Sequence, residues 1–213
     1  NGLPDATGMS AAEIDQLIAD ALVAATTKID RSWEANETVP TLENLFDFPT
    51  RQLLAGNIES LRSRLLAGAE EETLAALLLV ATRTWSDPRP EEIDLIRSLL
   101  EREGAPAPLY IAAITAARAW SLDGAYDPLR TLVTRSEYPT VVRATAGAAL
   151  PPCRGSRSLL PLADLLSDPG LPELVRSAIL DGLTTVDAAE LGEFARALFH
   201  RSGSDGMRRA ALH

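Results

Sequence analysis

The sequence predicts an all-α protein in which pairs of short helices repeat along the chain as a right-handed superhelical solenoid. Two adjacent apolar residues mark the second helix of each pair, and four such markers recur at one constant spacing, the repeat interval: Leu99-Leu100, Leu132-Val133, Leu165-Leu166 and Leu198-Phe199. Leu65-Leu66 precedes the first of them at nearly the same spacing. An apolar residue three positions before most markers completes the i, i+3, i+4 spacing of a helix with one buried face. A repeat interval of about 33 residues with two helices per unit is typical of α-solenoids, so we expect four to five helix pairs.

Residues 1–49 are predicted to form an N-terminal cap and an acidic crossover. Ser10 and Glu13 have the spacing of a capping box, so we expect a helix from Ser10 to about Trp33. The crossover from residue 34 to residue 49 contains two prolines and two phenylalanines. Phe46 and Phe48 either plug the core beneath the cap or are offered to a partner.

Residues 50–213 are predicted to form the repeat array as one continuous domain. A helix is expected over 50–66, with its first turn or two broken, because Gly56-Asn57 lies inside it and glycine disfavours helix interiors. Asp127 is expected to cap the second helix of a later pair, and Pro161 to kink another. The predicted helices are 70–85 with 90–103, 107–122 with 127–136, a pair divided by the turn 151–155, 172–184 with 187–201, and an unpaired first helix over 204–213.

One turn and the helix that follows it resemble a known repeat family. Asp168-Pro169 follows the marker Leu165-Leu166, and Leu174-Val175-Arg176 comes next. This run resembles the HEAT repeat, most closely the short bacterial variety named after phycobilisome lyases. The resemblance implies a structural ladder between Asp168 and Arg176, with Arg143 matching the arginine half. It covers roughly residues 51–213 and implies a fold rather than an activity.

Composition and charge limit the classes of partner. The chain of 213 residues is 46% hydrophobic with a net charge of −10, and residues 1–49 carry nine acidic and two basic side chains. No Lys-rich face is present to bind a phosphate backbone, so we expect no nucleic-acid partner. No apolar run approaches the roughly 18 residues of a membrane span. The compartment is left open: we favour the cytoplasm, and a secreted or periplasmic form whose leader or tag preceded Asn1 is the alternative.

Candidates for chemistry are few, so we expect no catalytic residue, no cofactor and no metal. The two histidines, His200 and His213, are too few for the usual metal sites, and no phosphate-binding glycine loop occurs. Carboxylate pairs such as Glu91-Glu92 lie at helix starts, where capping explains them. Cys153, the single cysteine, lies near Arg154 and Arg157 and is a possible reactive thiol; the alternative is a small buried filler.

Arginines recur at matching positions of the predicted second helices. Arg97, Arg130 and Arg196 share one position, with Ala163 interrupting, and Arg102, Arg135 and Arg201 share another, with Asp168 interrupting. Since the HEAT resemblance implies that second helices line the concave surface, each set forms a row of guanidinium groups suited to carboxylates. The alternative is a solvated face whose arginines pair with neighbours such as Asp94.

These observations favour a non-enzymatic scaffold or adaptor whose concave face binds a protein segment or subunit. A partner with an acidic segment would suit the arginines of that face. Two alternatives follow from the HEAT resemblance. One is a cofactor-handling accessory, similar to a bilin lyase or a chaperone, and the other is a HEAT-like DNA glycosylase, which the acidic chain disfavours. The array ends halfway through a helix pair, which leaves an apolar face open, so we expect a truncated chain, a swapped partner element or an oligomer contact at that end.

Overall fold

The computed structural model describes residues 9–67 and 71–201, without the side chains of residues 71, 72 and 201. All regular structure in these two ranges is helical and no strand occurs there, which confirms the predicted all-α class. The α-helices in chain order are α1 Ala11–Asn36, α2 Leu42–Leu45, α3 Phe48–Gly56, α4 Ile58–Leu66, α5 Glu71–Thr84, α6 Pro90–Glu101, α7 Ala107–Ala119, α8 Tyr126–Thr134, α9 Thr140–Ala149, α10 Leu160–Leu166, α11 Glu173–Gly182 and α12 Ala188–Arg201. The unpaired helix predicted over 204–213 lies outside the described residues.

Helix α1 begins where the capping box predicts. The hydroxyl of Ser10 accepts the backbone N–H of Glu13 at 3.3 Å, and the Glu13 carboxylate accepts the backbone N–H of Ser10 at 2.7 Å. The crossover after α1 divides its two phenylalanines between the alternatives, because Phe46 is buried and Phe48 is 65% exposed.

The predicted helix over 50–66 is two helices, since α3 ends at Gly56 and α4 begins at Ile58. The turns expected to be broken form the intact helix α3, and the interruption lies at Asn57 alone. Two other local predictions are wrong. Asp127 lies inside the first turn of α8, because the 3₁₀ turn Asp123–Ala125 leads directly into that helix. Pro161 lies in the first turn of α10, where a proline needs no hydrogen-bond partner, so it causes no kink.

The chain folds into two compact units, and the boundary between them falls after Trp120, inside the range predicted as one array. In the first unit α5 packs against α1, α4 and α7, while α6 packs against α4 and α7. The fully buried side chains of this unit include Ile18 and Ile29 of α1, Leu77 and Leu78 of α5, and Ile114 of α7. Helix α1, for which the sequence predicts a capping role, thus packs against α5 and α7, the first helices of the two pairs that follow.

In the second unit α9 packs against α8 and α11, and α10 packs against α11 and α12. The interface between α9 and α11 is close because glycines lie in it. A Cβ atom on Gly147 would lie 3.0 Å from the side chain of Ile179, and one on Gly182 would lie 2.5 Å from the carbonyl oxygen of Ala148. The predicted apolar register holds in α8, where Leu129, Leu132 and Val133 are all buried. It holds only in part in α12, where Leu198 is buried but its marker partner Phe199 is 42% exposed.

Candidate functional site

The first row of predicted arginines lies on exposed helix surfaces. Arg97 of α6, Arg130 of α8 and Arg196 of α12 are exposed, and buried side chains on the same three helices form the opposite, core-facing surfaces. Arg97 donates to Asp94 of the same helix at 3.1 Å, which is the pairing that the alternative interpretation names. Arg196 donates through Nε to the backbone carbonyl of Gly192 at 3.1 Å. No ion pair involving Arg130 or Arg196 occurs among the described residues.

The second row lies at helix C-termini. Arg102 and Arg135 are the C-cap residues directly after α6 and α8, and both are exposed. Arg135 lies 3.5 Å from the carboxylate of Glu137 in the turn that follows α8. Arg201 is the last residue of α12, and its side chain lies outside the described residues. A guanidinium at a helix C-terminus interacts favourably with the helix dipole, so Arg102 and Arg135 have a local structural role.

The residues that the HEAT resemblance implies as a ladder form a different contact. Arg176 donates to the backbone carbonyl of Asp168, while the Asp168 carboxylate accepts the backbone N–H of Gly170 at 2.8 Å. Arg143, which is buried, donates through Nε to the carbonyl of Val133 in the last turn of α8 at 3.0 Å. Arg143 therefore satisfies a carbonyl in the last turn of α8, where helical partners are missing, and Arg176 satisfies one in the turn that follows α10.

The same contact occurs one repeat earlier with a different side chain. Tyr110 of α7 lies one repeat interval before Arg143 and is buried, and its hydroxyl donates to the carbonyl of Arg102 at the end of α6. We call positions 110, 143 and 176 the donor position. Sequence reasoning found its two arginines and missed its tyrosine, although the constant repeat interval between the three positions carries the signal.

Cys153 lies in the 3₁₀ turn Pro152–Arg154 and is fully buried. The two arginines near it in sequence bind other groups. Arg154 donates to Glu190 and to the carbonyl of Arg157, while the Arg157 guanidinium lies over the ring of Tyr126. Burial protects a thiol from reagents, so this placement favours a structural role over a reactive one.

A buried charged network joins α4 and α6 in the first unit. Nη1 of Arg62 lies 2.9 and 3.1 Å from the two carboxylate oxygens of Glu92, and Nη2 donates to the carbonyl of Asp87 at 2.8 Å. The Glu92 carboxylate also accepts the backbone N–H of Arg89 at 2.7 Å, which is the capping role that the sequence predicts for it. The Arg62 guanidinium lies 4.5 Å from the ring centroid of Trp85.

Trp85 extends this network, because its ring stacks on that of Trp120 with centroids 6.0 Å apart. The spacing of the two tryptophans in the sequence, close to the repeat interval, predicts equivalent positions but not direct contact. Glu92 is completely buried and fully engaged by neighbours, so we assign the network to the fold rather than to catalysis.

Asp15 and Tyr126 are among the ionisable groups with shifted pKa values. Hydrogen bonds from Arg64 and Ser60 hold the pKa of the Asp15 carboxyl below its usual range. Burial raises the pKa of Tyr126, whose hydroxyl is buried and has no hydrogen-bond partner among the described residues. Asp15 is paired at the surface, and Tyr126 is packed beneath Arg157, so neither shift marks an acid–base site by itself.

The two described ranges contain neither a metal site nor a helix able to span a membrane. No group of three His, Cys, Asp or Glu side chains there is arranged to hold a metal ion; His200 is exposed on α12, and His213 lies outside those ranges. None of the helices in residues 9–67 and 71–201 combines the length and apolar character that crossing a bilayer requires. Comparisons of the chain with protein-family models, curated proteins and solved structures found no match.

Proposed function

We propose that the chain is a HEAT-like helical-repeat scaffold that binds an acidic protein segment through exposed arginines of its second helices. Two features support the repeat assignment. Within each unit, helices two places apart in the chain pack together, as in α5 with α7 and α9 with α11. The donor position also recurs at the repeat interval, with a donated hydrogen bond at each of its three occurrences. In a solenoid, each repeat contacts only the repeats next to it in the chain.

The exposure of Arg97, Arg130 and Arg196 at one repeated helix position carries the binding proposal. Arg130 and Arg196 make no ion pair within the described residues, so their charge is uncompensated in an acidic protein. Guanidinium groups bind carboxylates in a bidentate geometry and keep their charge at all physiological pH values. A repeated position supplies one such group on each of these second helices, which suits a segment that carries several carboxylates.

The test uses peptides selected from a random displayed library on the whole protein. Binding of a selected peptide is then measured by fluorescence anisotropy for the wild type and for the variant Arg97→Glu/Arg130→Glu/Arg196→Glu. We expect the selected peptides to be rich in Asp and Glu, and the variant to bind at least about tenfold more weakly. Each exposed ion pair contributes up to about 1 kcal/mol, and about 1.4 kcal/mol corresponds to tenfold.

The matched control is Arg31→Glu/Arg83→Glu/Arg118→Glu, which changes the net charge equally at exposed arginines of α1, α5 and α7. The control should retain affinity within about threefold, because changes in distant charge are screened beyond a Debye length of roughly 10 Å. Equal weakening in the two variants, or no weakening in either, contradicts the proposed site. Circular dichroism checks that both variants keep the wild-type helicity.

A further inference from the structure

A pocket of about 450 Å³ lies within the first unit, between α1, α5 and the start of α7. Ile29 of α1, Ala75 of α5 and Leu109 of α7 are buried side chains that form its apolar wall. Trp33 of α1 lines the pocket as well and is only partly buried. We call this cavity the α1 pocket. Its volume falls in the range of about 300–1,000 Å³ that is typical of ligand sites.

Two carboxylates from α1 complete the lining of the α1 pocket. Asp30 and Glu34 are four residues apart, so they lie on the same face of the helix, and Trp33 lies beside them. Both carboxylates are exposed, and neither forms an ion pair or hydrogen bond with any described residue. An apolar wall with two uncompensated negative charges is complementary to a ligand that has an aliphatic body and a cationic end.

The shape of this charge favours a guanidinium as the cationic end. A guanidinium presents five N–H donors in a plane, which lets it contact two neighbouring carboxylates and stack on an aromatic ring. An ammonium is a point charge that is more strongly hydrated, so it gains less from leaving water. The apolar wall is extensive enough to receive an apolar side chain beside the arginine stem.

We propose that the α1 pocket binds an arginine side chain of a partner protein, together with an apolar residue next to that arginine. This proposal goes beyond the arginine-lined site proposed above. It concerns the first unit alone and a ligand of the opposite charge, so the failure of either proposal leaves the other intact.

Binding is tested on the whole protein with three labelled peptides, each measured by fluorescence anisotropy. The central residues of the probe are Leu-Arg-Leu, and those of the two comparison peptides are Leu-Gln-Leu and Gly-Arg-Gly. We expect the Leu-Arg-Leu peptide to bind at least tenfold more tightly than either comparison peptide, because only this peptide satisfies the carboxylates and the apolar wall together. Equal affinity for Leu-Gln-Leu, or no detectable binding of Leu-Arg-Leu, overturns the proposal.

Two variants localise the binding to the α1 pocket. Asp30→Asn/Glu34→Gln removes the charge, and Ala107→Trp fills the pocket from the first turn of α7 without changing the charge. Each is expected to weaken the Leu-Arg-Leu peptide at least tenfold. The matched control, Asp94→Asn/Glu101→Gln on exposed positions of α6, should leave the affinity within about twofold.

Unchanged affinity in both pocket variants places the peptide elsewhere and overturns the proposal. Sedimentation velocity measures whether a second copy of the chain is the occupant instead. A wild-type dimer that becomes monomeric in Ala107→Trp overturns the proposal in favour of self-association, whereas a monomer in both cases supports a partner arginine.

Discussion

The buried ion pair between Arg62 and Glu92 predicts an unusually large effect for a very small change. Glu92→Gln preserves the shape of the side chain and removes its charge. The side chain of Glu92 is 0% exposed and that of Arg62 is 10% exposed, so the guanidinium would be left with a charge that water does not solvate. Removing one partner of a buried pair typically costs about 3–5 kcal/mol.

The structure also supplies a matched exposed pair. Arg89 and Glu59 likewise join α6 to α4, have the same separation in sequence as the buried pair, and lie 2.7 Å apart, but their side chains are 48% and 74% exposed. Exposed pairs typically contribute about 0.2–1 kcal/mol because water solvates both ions after the pair is broken. We therefore expect Glu59→Gln to cost less than about 1 kcal/mol.

The assay is urea unfolding of the wild type and both variants, followed by circular dichroism at a fixed temperature. Comparable dependence of the unfolding free energy on urea in all three proteins shows that the same surface is exposed on unfolding. The reasoning is refuted if Glu92→Gln costs less than about 1 kcal/mol, or if the two variants lose equal stability. Either result means that burial does not control the strength of this pair.

Three further predictions concern packing and titration. Gly182→Ala should destabilise the protein by about 1–3 kcal/mol, because the new Cβ meets a backbone carbonyl of α9. Gly192→Ala has open space around the new Cβ and should stabilise the protein by up to about 1 kcal/mol. Thermal unfolding measures both changes in stability. Asp15→Asn removes a carboxyl whose pKa is lowered by Arg64, so the stability advantage of the wild type should be constant above about pH 5 and disappear as the pH falls below about 4. Tyr126→Phe should be neutral or stabilising near pH 7, because the buried hydroxyl has no hydrogen-bond partner among the described residues. The same variant should not show the loss of stability above about pH 10 that the raised pKa of Tyr126 causes in the wild type.

Each of these predictions has an outcome that contradicts it. Stabilisation by Gly182→Ala would mean that α9 and α11 separate without cost. A constant difference between Asp15→Asn and the wild type from pH 7 to pH 3 would show that the paired carboxylate has no lowered pKa. A loss of more than about 1 kcal/mol in Tyr126→Phe at pH 7 would show that the hydroxyl has a partner in solution.

The sequence predicts the features that depend on local order along the chain. The capping box at Ser10 predicts the start of α1, and the doubled apolar residues predict the buried register of α6 and α8. The break at Asn57 follows from a glycine that disfavours the helix interior. In each case the residues that decide the structure lie within one helical turn of one another.

Features that depend on how distant helices pack were not predictable in the same way. Arg62 with Glu92 and Arg89 with Glu59 have identical sequence separations, yet only the first pair is buried. The α1 pocket combines residues from three helices that are far apart in the chain. Asp127 was misassigned because the 3₁₀ turn before α8 starts that helix two residues earlier than a capping aspartate would.

The donor position has a consequence for how repeats of this kind are found in other sequences. A search pattern that requires arginine would find residues 143 and 176 and pass over residue 110. All three side chains nevertheless donate a hydrogen bond to a backbone carbonyl at or just after the end of the preceding helix. A pattern that asks for any long side chain with a terminal N–H or O–H would find all three. What the three repeats share at this position is a hydrogen bond donated to the preceding backbone, rather than one residue type.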